Sequence, residues 1–263
     1  MWHLLHTPPA GGAFNMALDE ALMRFARDAN GWVLRVYSWR SPTLSFGRNQ
    51  RALGSYDPAR LAERAIDVVR RPTGGRAILH HREVTYAVAG SMDNAGDLGE
   101  SYARINRLLI AGLRALGVGG VAVVDKRIGR GDDDAETANP GFLPCFHHPS
   151  VGEITLDGRK LVGSAQWRSD GALLQHGSIL VEDDQMQLSS LLIQKGEAIP
   201  KPATLREVLG CAPTDRDIAR VLFDAVRDNE DANAREIEID AALMERAQAL
   251  QGHYLDDDWT WRR

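Results

Sequence analysis

The chain has 263 residues, is 44% hydrophobic and 25% charged, and carries a formal charge of −5 from 31 Lys plus Arg against 36 Asp plus Glu. This composition is ordinary for a soluble globular protein, leaves enough chain to bury a sizeable core, and argues against a wholesale basic nucleic-acid binder. Two cysteines cannot make a disulfide framework, Met1 to Ala10 lack a signal-peptide pattern, and no run is apolar for the ~20 residues of a membrane span, so a reduced cytoplasmic chain is expected, with neither nucleic acid nor membrane as partner.

Trp2 to His6 reads as a short strand ended by prolines and glycines. Phe14 to Ala29 reads as a helix, with Phe14, Ala17, Leu18, Ala21, Leu22 and Phe25 at helical spacing and Asp19, Glu20, Arg24 and Arg27 largely off that stripe. Trp32 to Trp39 alternates, with Val33, Arg35, Tyr37 and Trp39 on one face, and Thr43 to Phe46 is a further extended piece. Asp57 or Tyr56 starts a short helix with Pro58 in its first turn. Ile66 to Val69, Ala77 to Leu79 and Val84 to Val88 read as extended, and Ser101 to Leu116 as a helix stopped by Gly117 to Gly120.

Gly129 to Asn139 holds Asp132, Asp133, Asp134 and Glu136 with almost nothing to bury, which predicts a mobile loop. From Glu153 to Val181 short strands are joined at Asp157-Gly158 and Ser169-Asp170-Gly171, both hairpin signals. Asp183 to Leu192, Thr204 to Leu209, Thr214 to Arg227 and Ala241 to Tyr254 read as helices, and Arg235 to Ile239 as a late strand. The class is α/β or α+β, with a mostly helical layer from about residue 183 and more antiparallel pairing than a doubly wound fold allows.

Four segments could carry chemistry. Arg70-Arg71-Pro72-Thr73-Gly74-Gly75-Arg76, followed by His80, is a glycine turn whose backbone N–H groups could hold an oxyanion, or simply a tight turn flanked by arginines; it has neither P-loop nor dinucleotide-fold spacing. Cys145, in Pro144-Cys145-Phe146-His147-His148-Pro149-Ser150, could be a nucleophile or an inert thiol, and no second cluster at ligand spacing supports a metal. Lys160, in Gly158-Arg159-Lys160-Leu161-Val162-Gly163-Ser164-Ala165-Gln166, could hold a carbonyl oxygen or merely guard an edge strand. His176 lies in Leu174-Gln175-His176-Gly177-Ser178-Ile179, and Cys211 has no chemical company.

These segments, together with Phe14-Asn15-Met16-Ala17-Leu18-Asp19-Glu20-Ala21-Leu22 and the ending Asp257-Asp258-Trp259-Thr260-Trp261, resemble the biotin/lipoate A/B protein ligase superfamily, most closely its LipM-type octanoyltransferases. The arginine–glycine and Gly158–Gln166 runs are shared across the superfamily, whereas Cys145 matches the acyl-accepting cysteine of the transferase branch. His147 and His148 replace the acidic and small residues usual after Cys145-Phe146, and Gly152 replaces a common tyrosine before Glu153-Ile154.

The resemblance implies one catalytic domain over residues 1–263, with a mixed, largely antiparallel sheet flanked by helices in the class-II-synthetase-like fold. It implies transfer of octanoyl from acyl carrier protein to Cys145, then to a lysine of an apo lipoyl domain, usually the glycine cleavage H protein, with no cofactor and no ATP. Lys160 would stabilise the oxyanion, and Arg71, Gly74, Gly75, Arg76, His80, Gly163 and Ser164 would bind substrate. His80, His147, His148 and Lys160 all remain open as the general base, and Arg70, Arg71 and Arg76 could meet an acidic carrier surface or make structural salt bridges. The other readings are an ATP-dependent lipoate–protein ligase, an octanoyl amidotransferase between lipoyl domains, and a non-catalytic lipoyl-domain binder.

Overall fold

The computed structural model describes residues 1–124, 152–194 and 200–262. In chain order the strands are β1 (Trp2–His6), β2 (Trp32–Tyr37), β3 (Thr43–Phe46), β4 (Asp67–Arg70), β5 (Ile78–His80), β6 (Glu83–Ser91), β7 (Val121–Val123), β8 (Ile154–Leu156), β9 (Arg159–Ser169), β10 (Ala172–Leu180) and β11 (Arg235–Glu236). The helices are α1 (Gly12–Asp28), α2 (Pro58–Glu63), α3 (Leu98–Ala115), α4 (Leu205–Leu209), α5 (Asp215–Asn229), α6 (Ala241–Leu255) and α7 (Asp257–Thr260). Gln185–Leu191 winds as a 3-10 helix where regular helix was expected, and β7 is a strand that the sequence patterning did not single out.

Among the described residues, eight strands form one sheet in the order β11-β1-β2-β6-β10-β9-β8-β7, and three form a second, β4-β3-β5. Only β11–β1 and β1–β2 pair parallel in the large sheet; the rest is antiparallel. The mixed, largely antiparallel architecture expected from the sequence is therefore the one observed. Asp157-Gly158 and Asp170-Gly171 close the β8–β9 and β9–β10 hairpins with positive φ at all four residues (49°, 74°, 50° and 75°), the geometry that two-residue hairpin turns require.

The large sheet buries both faces. On one, Trp32, Leu34, Val36, Tyr86, Val88, Leu173 and Ile179 pack under Ile105, Leu108 and Leu109 of α3 and Ile218 and Leu222 of α5. On the other, Val33, Ala87, Ala89 and Leu174 meet Met16, Leu18, Ala21 and Leu22 of α1, with Leu243, Ala247 and Tyr254 of α6 behind. The helices beyond residue 183 thus divide between the two faces instead of forming one layer. Capping boxes at Asp97/Glu100 and Thr214/Asp217 satisfy the first N–H groups of α3 and α5. The small sheet has its own apolar cluster, including Leu44, Phe46, Tyr56 and Leu79, and covers the α1 face of β6, β10 and β9. No helix among the described residues is long and apolar enough to cross a membrane.

Candidate active site

The space between the small sheet and the α1 face of β6, β10 and β9 gathers most of the polar side chains singled out above. Its roof is the Thr73–Arg76 turn. Gly75 sits at φ +91° and is exposed, and a Cβ on Gly47, in the loop after β3, would lie 1.9 Å from the Gly75 carbonyl oxygen. Both positions therefore require glycine, one for its conformation and one for close approach.

Arg71 and Arg70 hold that turn from inside. Arg71 donates from Nε and Nη2 to Gly74 O, from Nη2 to Arg76 O, and from Nη1 to the Ser45 carbonyl and hydroxyl. Arg70, fully buried, donates to the carbonyls of Gly47, Arg48, Gln50, Trp259, Thr260 and Arg262. Most of these donors are thus committed to oxygens of the protein itself. Arg71, expected at the substrate, staples the turn through these bonds, and Arg70 ties the turn's neighbours to residues 259–262. Arg76 is half-buried and contributes its carbonyl to the staple.

His80 ends β5 under the roof, stacked on Trp39 with ring centroids 4.1 Å apart. Its Nδ1 meets Glu83 Oε1 at 3.1 Å and its Nε2 meets Ser45 Oγ at 2.8 Å. Because the Glu83 carboxylate accepts and Ser45 Oγ already accepts from Arg71, the network assigns the proton to Nδ1 and leaves Nε2 accepting from Ser45. Burial pushes the His80 pKa below its usual 6.5, only partly opposed by Glu83, so the ring is neutral. Glu83 also accepts from Thr85 and Ser178, which fixes the carboxylate that orients His80.

His176, on β10, faces the same space. Its Nε2 bonds Thr73 Oγ1 at 2.7 Å, tying the roof to the sheet, and its Nδ1 bonds Asp19 Oδ2 at 3.0 Å. Asp19, on α1 and fully buried, also accepts from Arg35 Nη1 at 2.7 Å and Tyr37 OH at 2.9 Å. Burial alone would raise the Asp19 pKa; the Arg35 guanidinium and the His176 bond outweigh it and hold the carboxyl below its usual range. The remaining Arg35 donors reach Thr7 Oγ1 and the Asn15 carbonyl and amide oxygens. Asp19, Arg35, Glu83 and Glu153 were not picked out from the sequence. One signal was present: Arg35 stands on the Val33/Tyr37 face of an alternating strand, where a cation needs an acid opposite it.

Lys160 reaches this face through a bulge. Ile154 pairs with Val162 but Thr155 pairs with Lys160, so β9 carries one extra residue, Leu161. Leu161 and Val162 consequently both enter the α3 core, and the alternation resumes one residue out of step. Lys160 then points to the side of Thr155 and Glu153, the side that carries Gly163, Ala165 and His176. Its Nζ lies 2.5 Å from Glu153 Oε1, with both side chains buried. Ala165 approaches Gly75, placing β9 under the roof. Gly163 pairs with Ser178 on this face. Ser164 does not share it: its hydroxyl bonds Tyr86 OH at 2.6 Å on the α3 side. Strand alternation puts that hydroxyl on the face opposite Gly163 and His176.

Val124 and Gly152 are hydrogen bonded, as are Val124 and Glu153, so the described chain stops and resumes at one point beside the Lys160 pair. Cys145, His147, His148 and the acidic stretch Gly129 to Asn139 lie between, outside the described residues. Cys211 is exposed, consistent with its lack of chemical company.

The family model for the lipoyl protein ligase A/B catalytic domain matches residues 12–227. The octanoyltransferase LipM of Kyrpidia tusciae is 38% identical over 277 aligned positions, covering 100% of this chain and 99% of the relative, and that of Staphylococcus aureus is 30% identical over 275 with the same coverage. Among solved structures, lipoate-protein ligase A bound with ATP matches with a TM-score of 0.78 at 21% identity, and a putative lipoate protein ligase from T. acidophilum with bound lipoic acid matches at 0.73 and 23%, each over 98% of both chains; these likenesses establish the fold. The chain belongs to the lipoyl protein ligase A/B catalytic-domain family, alongside the LipM octanoyltransferases.

Proposed function

We propose that the protein is an octanoyltransferase of lipoate biosynthesis, a single cytoplasmic catalytic domain that moves octanoyl from acyl carrier protein to a lysine of an apo lipoyl domain, such as the glycine cleavage H protein, through a thioester on Cys145. The observation that carries the mechanism is the bulge at Leu161, which turns Lys160 onto the face roofed by Gly74 and Gly75. The full-length similarity to LipM octanoyltransferases supports the choice of reaction. Both ends of the segment carrying Cys145 are held beside Glu153 and Lys160, which supports that cysteine as the acyl carrier.

In the first half-reaction the Cys145 thiolate attacks the octanoyl thioester, the bond to the carrier sulfur breaks, and the carrier leaves as a thiolate that takes up the proton released when Cys145 ionised. The Lys160 ammonium stabilises the oxyanion formed on the way, and Glu153 holds that ammonium in place. His80 and Gly163 shape the wall beside the thioester carbonyl. In the second, the acceptor amine attacks, an amide forms and the Cys145 thiol is regenerated; thioester exchange is nearly balanced and amide formation is downhill, so no ATP is consumed. Incubation with octanoyl-acyl carrier protein, without nucleotide or acceptor, should add one octanoyl mass at Cys145 that hydroxylamine removes. Cys145→Ala should lose adduct and transfer, and Cys211→Ala should keep both. Transfer that starts from free octanoate and requires ATP would replace this reading with a ligase; transfer only from an octanoylated lipoyl domain would replace it with an amidotransferase.

A further inference from the structure

Arg35, Arg70 and Arg71 all spend their guanidinium donors on partners inside the protein. Arg48 does not. Its backbone is locked to the roof: its N–H donates to Thr73 O at 2.7 Å, and its carbonyl accepts from Arg70 Nη1 at 3.3 Å and Arg262 Nη2 at 2.6 Å. Its half-buried guanidinium makes no hydrogen bond or ion pair among the described residues. It lies between two indoles, 5.0 Å from the Trp167 ring centroid and 5.9 Å from that of Trp259. Arg262 shares the Trp259 ring, 3.9 Å from its centroid, so two cations crowd one indole. Glu20, across Tyr254, is already bonded to Tyr254 and Arg24.

An arginine clamped by aromatic rings with its donor edge unused is preorganised for an oxyanion. Its place in the fold says which one. Trp167 continues β9 on the same face as Ala165, which approaches Gly75, and lies seven residues from Lys160, roughly 20 Å along a strand. A group bound at Arg48 would therefore belong to the same ligand as the thioester but to its far end. Resting on the acyl-thioester reading above, we infer that Arg48, held between Trp167 and Trp259 at the rim of the glycine turn, binds the phosphate of the pantetheine arm that delivers the acyl chain.

The test compares two small donors that differ only in that phosphate, octanoyl-pantetheine and octanoyl-4′-phosphopantetheine, in single-turnover acylation of the full chain read by intact mass. A hydrogen-bonded charge pair is worth about tenfold or more, so the wild type should prefer the phosphorylated donor by about that factor, and added salt should erode the preference. In Arg48→Gln the preference should collapse toward unity, and Arg48→Lys, which restores charge but not the fork, should recover part of it. Equal rates with both donors in the wild type overturn the inference whether or not the variants fold. So does a preference that survives in Arg48→Gln, which would make Arg48 only a bridge between the indoles. Failure of both small donors to acylate a wild type that octanoyl-acyl carrier protein does acylate overturns this inference alone, whereas failure with the carrier protein as well overturns the proposed function.

Discussion

Replacing Asp19 by Asn tests whether the site is built on a buried charge. The carboxylate accepts from Arg35, Tyr37 and His176, and the side chains of Asp19 and Arg35 are both 0% exposed. Asparagine offers one acceptor oxygen in place of two and presents an amide to donors already aimed at it, leaving Arg35 charged, buried and uncompensated. Breaking a buried pair by removing one partner costs about 3–5 kcal/mol, and the shape is otherwise kept, so most of that figure should appear as lost unfolding free energy in urea, followed by tryptophan fluorescence. The double variant Asp19→Leu/Arg35→Met, which removes both charges, should lose less than Asp19→Asn alone. A cost of Asp19→Asn below about 1 kcal/mol, the range of exposed pairs, would show that water reaches Arg35 and that the buried network does not carry the roof.

Lys160→Ala should slow acylation about a hundredfold or more and, by leaving Glu153 buried without its cation, also lower the unfolding midpoint; wild-type-like single-turnover acylation in the folded variant would return Lys160 to an edge-strand role. Gly47→Ala must push the Gly75 carbonyl aside, since its Cβ would sit 1.9 Å away, and should depress both stability and activity; an unaffected unfolding midpoint and rate would mean that the turn's position is not critical. The buried His80 has a folded pKa below 6.5, so the unfolded chain binds its proton first. Its contribution is therefore intact above about pH 6.5 and lost as pH falls toward the folded value. Asp184, pushed by burial up to about 6, gives the opposite slope in that range. The readout is accordingly the difference between wild type and His80→Gln, which should shrink on acidification; a constant difference from pH 7.5 to 5 would contradict the assignment.

Local signals carried much of the fold. Thr43–Phe46 was delimited by Pro42 and Gly47, Asp57 does cap α2 by accepting from Ala59 and Arg60, and the Asp-Gly pairs made both hairpins. What stayed hidden depends on partners far apart in sequence. Asp19 looked like part of a solvated helix face because nothing local reveals Arg35 and His176 beneath it, 16 and 157 residues away. The bulge at Leu161 is a property of β8–β9 register, invisible in β9 alone, and without it Lys160 would read as a residue of the α3 core. Arg70 and Arg71 looked alike in the sequence and like ligand arginines; only the carbonyls around them show both to be internal.

The bonds from Arg70 to the backbone of residues 259–262 have a consequence for how the protein is made. Arg70 emerges from the ribosome about 190 residues before the carbonyls that satisfy it. At about 5–20 residues per second that is a delay of roughly 10–40 s, during which a guanidinium destined for burial has only the Gly47–Gln50 half of its cradle. The roof of the site can therefore be set only late in synthesis, and a nascent chain stalled before Trp259 should hold a folded sheet but a loose turn. Residues 259–262 then act as a latch: their carbonyls complete the Arg70 cradle only after translation has passed them.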